Sequence, residues 1–118
     1  MSTRSADHVS LVLTTQTEAG DVYKVKGRAV ADTANHPMAL KPAVHFGVKV
    51  SGGSGWVKLY DPIHGVTLAE QEVTNTSPQN YDVELENWTD GELIGLECQI
   101  KSDGINTITL YECSVEVI

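Results

Sequence analysis

Apolar and polar residues alternate at period two through most of this chain, which confines it to half-buried β-strands. Val44, Phe46, Val48 and Val50 form one apolar face, with His45, Gly47, Lys49 and Ser51 opposite. Comparable runs begin at Val9, Tyr23, Trp56, Val66, Tyr81, Leu93 and Ile105, giving eight predicted strands and no helix. Short strands parted by Gly, Asp, Asn and Pro predict an all-β, antiparallel β-sandwich. The stretch ADTANHPMALKP, broken by Pro37 and Pro42, is the longest irregular connection and a candidate functional loop.

The 118 residues suit one domain, taken as 9–118 behind a polar arm at 1–8. Sixteen acids against eight Lys and Arg leave a net charge of −8, which argues against binding nucleic-acid phosphates or anionic lipid. Residues 70–118 hold 11 of those acids and a single base, whereas residues 1–69 carry 7 bases and 5 acids. The start, MSTRSADHVSLVL, lacks a basic segment leading into an apolar core, and no apolar run nears the ~18 residues of a membrane span. The expected location is therefore the cytoplasm or a virion.

Two turns read as local hairpins. Asp103-Gly104 suits a two-residue turn that sets Cys98 opposite Thr109 and Ile94 opposite Cys113. On that register the cysteines lie about 13 Å apart along one face, beyond disulfide reach, and both are expected as free core thiols. The glycine-rich loop Gly52 to Gly55 likewise sets Lys49 opposite Lys58 and Gly47 opposite Tyr60. If the valines point inward, Trp56 and Tyr60 point outward beside Lys49, Lys58 and His45, forming one contact patch. Gly47 leaves a shallow place in it. Two tight hairpins fit an immunoglobulin-like or meander sandwich more easily than a strict jelly roll, although strand order stays open.

Lys24, Lys26 and Arg28 line the outward face of one predicted strand, and Asp82, Glu84 and Glu86 that of another. As neighbours the two ladders pair; otherwise they offer complementary edges to a second copy. The carboxylates, with Asp61 or Asp90, are oxygen donors for Ca²⁺, but no compact calcium loop is present, and neither metal nor cofactor is assigned. His8, His36, His45 and His64 fall on different elements, with no nucleophile elbow or phosphate loop, so no catalytic residues are assigned and no enzyme is expected. Only a convergence of His64, Asp61 and a distant carboxylate would alter that.

A short, acidic, all-β chain without processing signal or disulfide resembles the small decoration and fibre proteins of phage particles. The resemblance rests on build, not on a motif. It implies a non-enzymatic protein that self-associates or docks on a larger particle, with other protein subunits as partners, the patch as contact surface and residues 1–8 as a docking arm. The alternative is a carbohydrate-binding module that stacks sugars on the aromatic pair.

Overall fold

The computed structural model describes residues 7–35 and 42–117. Nine strands fall within them: β1 (Asp7–Ser10), β2 (Gln16–Glu18), β3 (Lys24–Asp32), β4 (Ala43–Val50), β5 (Gly55–Asp61), β6 (Val66–Val73), β7 (Gln79–Glu84), β8 (Leu93–Ser102) and β9 (Ile108–Val117). They form two antiparallel sheets packed as a sandwich. One sheet has the order β1-β9-β4-β7, with β2 also on β9, and the other has β3-β8-β5-β6. The expected all-β sandwich is present. The strand that the alternation does not show is β2, three residues long inside a polar stretch and held by pairing Gln16 to Leu110 and Glu18 to Ile108. Most of the predicted arm, and the loop residues 36–41, lie outside the described residues. Asp7 and His8 already run in β1, opposite Val117 and Glu116.

Both predicted hairpins are corrected. β4 and β5 lie in different sheets, as do β8 and β9, so the turns at 51–54 and 103–107 arch across the sandwich. The reason is packing. Val44, Phe46, Val48 and Val50 on β4, and Val57 and Leu59 on β5, are fully buried, and both apolar faces are satisfied when they meet across a core rather than side by side. The arches brace each other: Ser51 N–H donates to Thr107 O, and Thr107 N–H donates back to Ser51 Oγ. Asp103 does not sit in a two-residue turn; its carboxylate accepts from the backbone N–H of Ile105 and Asn106 and from Asn106 Nδ2. These bonds hold its carboxyl well below the usual carboxylate range. Among the described residues only β5 and β6 make a hairpin between consecutive long strands, so most neighbours in sequence alternate between sheets, as in a jelly roll.

Alternation also breaks at bulges. Opposite Gly47 and Val48, β9 carries one extra residue, Tyr111, which turns out to solvent while Leu110 and Cys113 stay buried. A shift between Val25 and Gly27 divides the expected basic row on β3. Past β1 the chain bends and buries both Leu11 and Val12, leaving Leu13 exposed, where strict alternation would have buried Leu13.

Candidate functional site

The parity expected of β4 and β5 holds, but the patch built on it does not form. On β5 the burial alternates, with Val57 and Leu59 inward and Trp56, Lys58 and Tyr60 outward. His45 and Lys49 also point outward, on β4. Because the two strands belong to different sheets, the five residues divide between opposite faces of the sandwich.

On the four-stranded sheet the aromatics form a row with lysines between them. Lys58 Nζ lies 4.3 Å from the centroid of Tyr23 and 5.2 Å from that of Tyr60. Lys101 Nζ lies 4.7 Å from Tyr23 and 5.0 Å from Trp56. Tyr23, just ahead of β3, lies across the row and donates its hydroxyl to Glu70 Oε2 at 2.5 Å. Burial and that bond push its phenol well above the ordinary range. Each ring thus has an ammonium group over a face, so the row is largely covered by its own chain. Nothing local in the sequence signals that Tyr23, Lys101 and Glu70 converge here, and sequence reasoning misses all three.

The outer face of the five-stranded sheet carries a polar cleft. Its volume is about 570 Å³, and it is lined by Ser10, His45, Asn80, Asp82, Glu112 and Ser114. Strand register places these groups: His45 is opposite both Asp82 and Ser114, and Gly47 is opposite both Asn80 and Glu112. A Cβ at Gly47 would stand 3.1 Å from Asn80 Oδ1 and 3.3 Å from Glu112 Cβ, so the glycine lets these two lining side chains approach β4 closely. His45 Nδ1 is 2.5 Å from Asp82 Oδ1, and Nε2 is 3.0 Å from Glu116 Oε1. Ionised carboxylates only accept, so the paired contacts favour the ring form in which both nitrogens donate. Burial alone would lower its pKa; the bonds to Asp82 and Glu116 outweigh that and raise it.

A second histidine is held the same way at one end of the sandwich. Asp61, fully buried, accepts from the backbone N–H of Ile63, His64 and Gly95, and its other oxygen is 2.7 Å from His64 Nδ1. His64 Nε2 lies 2.5 Å from Glu92 Oε1. Here the convergence of His64, Asp61 and a distant carboxylate does occur. Burial would raise the Asp61 pKa, but the His64 bond and the backbone donors hold it down; Glu92 and Asp61 raise that of His64. The cluster pins the β5–β6 turn to β8. Among the described residues no hydroxyl or thiol hydrogen-bonds to His64, so it lacks the nucleophile of a catalytic triad.

The charge ladders lie on edge strands of different sheets and do not pair with each other. Lys26 bridges to Glu18 and Arg28 to Glu97, each at 3.0 Å, while Asp82 serves His45. Among the described residues no three His, Cys, Asp or Glu side chains are grouped to hold a metal ion, so Asp82, Glu84, Glu86, Asp61 and Asp90 do not gather into a Ca²⁺ site.

Two antiparallel sheets packed face to face, with a polar cleft on the outside of one of them, define an all-β sandwich domain. Solved structures of similar fold include several carbohydrate-binding modules. A family 36 module in complex with calcium and xylotriose aligns with TM-score 0.62 at 14% identity, over 95% of this chain and 99% of that one. The CBM36-1 domain of a multidomain xylanase from the hindgut metagenome of Trinervitermes trinervoides aligns with TM-score 0.63 at 11% identity, over 97% of each chain. A family 29 module complexed with mannohexaose gives TM-score 0.52 at 9% identity, over 96% of this chain and 93% of the other. At such identities the likeness is one of fold. No family model and no curated protein matches the sequence.

Proposed function

We propose that this protein is a non-catalytic carbohydrate-binding module that receives a neutral oligosaccharide in the cleft on its five-stranded sheet. The carrying observation is the cleft lining, in which all six side chains are hydrogen-bonding groups. A sugar presents hydroxyls that both donate and accept. Asp82 and Glu112 take pairs of hydroxyl donors, Asn80 offers both polarities, and Ser10 and Ser114 adapt their rotors. The volume lies within the ordinary range of small-ligand sites, roughly 300–1,000 Å³. The fold shared with xylotriose- and mannohexaose-binding modules supports the reading. Carboxylates around the cleft disfavour uronic and other acidic sugars by like-charge repulsion.

The ligand surface thus differs from the aromatic platform suggested by the sequence, because lysines already occupy ring faces there. Self-assembly loses the continuous patch that motivated it, and neither the fold nor its neighbours bears on attachment to a particle. Titration calorimetry with neutral xylo-, manno- and gluco-oligosaccharides tests the proposal. Saturable binding that Asn80→Ala weakens supports it. Silence across the whole panel at millimolar sugar, or binding indifferent to the cleft, overturns it.

A further inference from the structure

Strand register sets the direction in which the cleft runs. Ser10 on β1, Ser114 on β9, His45 on β4 and Asp82 on β7 are successive cross-strand partners and form one line. Glu112 on β9, Gly47 on β4 and Asn80 on β7 form a second line beside it. These two lines hold all six lining residues, so the cleft lies across the strands rather than along them. β1 and β7 are the outermost strands in the order of this sheet, and among the described residues no further strand pairs beyond either. The lining therefore reaches from one edge of the sheet to the other.

Such a cleft differs from a pocket that caps the end of a sugar chain. A capping pocket needs a wall across the path of the chain, whereas here the lining ends on edge strands, with Ser10 on one side and Asn80 and Asp82 on the other. Neighbouring strands lie about 4.8 Å apart, so the steps from β1 through β9 and β4 to β7 span roughly 14 Å. A 1,4-linked pyranose in an extended chain advances by a length close to one such step, and successive sugars then meet groups from successive strands. We propose that the cleft holds an internal segment of an extended, linear, neutral polysaccharide lying across the strands, with the chain running out past β1 and β7. This placement rests on the cleft being the sugar site; it adds the kind of chain and the part of it that binds.

Affinity then depends on length. A disaccharide reaches only part of the line from Ser10 to Asp82, while a chain that covers the line engages groups on all four strands. Chain ends make no contact that an internal sugar lacks. A long polymer thus carries sites in proportion to its mass and not to its number of ends. Linkage matters for the same reason, since an α-1,4-linked glucan coils instead of extending and its successive sugars leave the row of strands.

Calorimetry on the full chain compares β-1,4-linked xylo-, manno- and gluco-oligosaccharides from disaccharide to hexasaccharide, the matching polysaccharides, and maltohexaose. For the backbone that binds, affinity should rise at least about tenfold between the disaccharide and the hexasaccharide and then level off. The polysaccharide, sheared to a long and a short preparation, should bind the same amount of protein per unit mass in both. Ser10→Ala and Asp82→Ala alter opposite edges of the sheet; each should weaken the hexasaccharide severalfold, whereas the disaccharide should respond to at most one of them. With Asn80→Ala still weakening binding, three results would each overturn the proposal and leave the cleft as the sugar site: a disaccharide bound as tightly as the hexasaccharide, protein bound in proportion to chain ends, or maltohexaose preferred to the extended chains. Silence to every sugar, or binding that Asn80→Ala leaves unchanged, removes the cleft itself and this placement with it.

Discussion

Lys101 stands over the Trp56 ring, its ammonium nitrogen 5.0 Å from the ring centroid. These residues are directly opposed on β8 and β5, and the same nitrogen reaches Tyr23 on the far side of β8. The contact decides how the outward aromatics are read. An indole pointing away from the core is ordinarily a candidate binding surface, but this one is partnered by its own chain.

Replacing Tyr23 therefore acts on stability. Tyr23→Ala removes one ring from two lysines and the hydroxyl bond to Glu70. Cation–π contacts near the surface contribute ~0.5–1 kcal/mol each and the hydrogen bond about 1 kcal/mol, so a loss of about 2 kcal/mol is expected in urea denaturation. Oligosaccharide affinity should stay unchanged. A variant of native stability that no longer binds sugar would move the site to this face.

The cleft makes the opposite prediction. Gly47→Leu drives an outward side chain between Asn80 and Glu112, displacing two of the groups that line the cleft. Sugar affinity should fall at least tenfold, about 1.4 kcal/mol, with a smaller effect on the unfolding midpoint. Calorimetry and thermal denaturation on the same sample separate the two. Full affinity with the leucine in place would exclude the cleft.

Which parts of this are legible in the sequence follows from which interactions are local. The inward valines of β4 and the outward rings of β5 are readable because side-chain direction in a strand alternates with the chain itself. Sheet membership is not. Gly52 to Gly55 and Asp103-Gly104 are turn-forming whether the chain folds back within a sheet or arches across to the other one. The choice is made by distant surfaces: Val57 pairs beside Ile100 on β8, and no property of residues 51–56 encodes that. From this one ambiguity follow both the divided patch and the mistaken register of Cys98 and Cys113, which are buried free thiols on different sheets. The bulge residue Tyr111 escapes for a similar cause, since a one-residue slip in β9 is visible only against β4. The mid-strand glycine at Gly47 is flanked by Asn80 and Glu112 rather than by Tyr60.

The two clamped histidines predict a pH dependence with a definite sign. His45 and His64 both have raised pKa values in the folded state. Their stabilisation is fully present below the unfolded value of ~6.5 and fades as pH rises through the folded values. Asp61, held below its usual value, works at the acid end: its contribution is present above the ordinary carboxylate range and is lost as pH falls through its folded pKa. Urea midpoints should thus be higher at mildly acidic pH than in alkaline buffer, and the double variant His45→Gln, His64→Gln should flatten the alkaline decline. An equally steep decline in the double variant would place its origin elsewhere.

Gly27 and Gly91 offer a final test, of how the open side of the sandwich is closed. Beyond β1 the chain carries Leu11 and Val12 over β3, and a Cβ at Gly27 would lie 1.9 Å from the Leu11 carbonyl oxygen and 3.1 Å from Val12 Cγ1. Neither neighbour yields easily, because Leu11 N–H is bonded to Cys113 O at 2.8 Å and both side chains are buried. Gly27→Ala must displace that segment, at a cost of roughly 3 kcal/mol by the measure of overpacked cores. At Gly91, with φ of 80°, an added Cβ would meet nothing within 4 Å, so Gly91→Ala incurs only backbone strain of about 1 kcal/mol. Chemical denaturation should rank Gly27→Ala well below Gly91→Ala. The reverse order would mean that residues 11–12 do not seal the core.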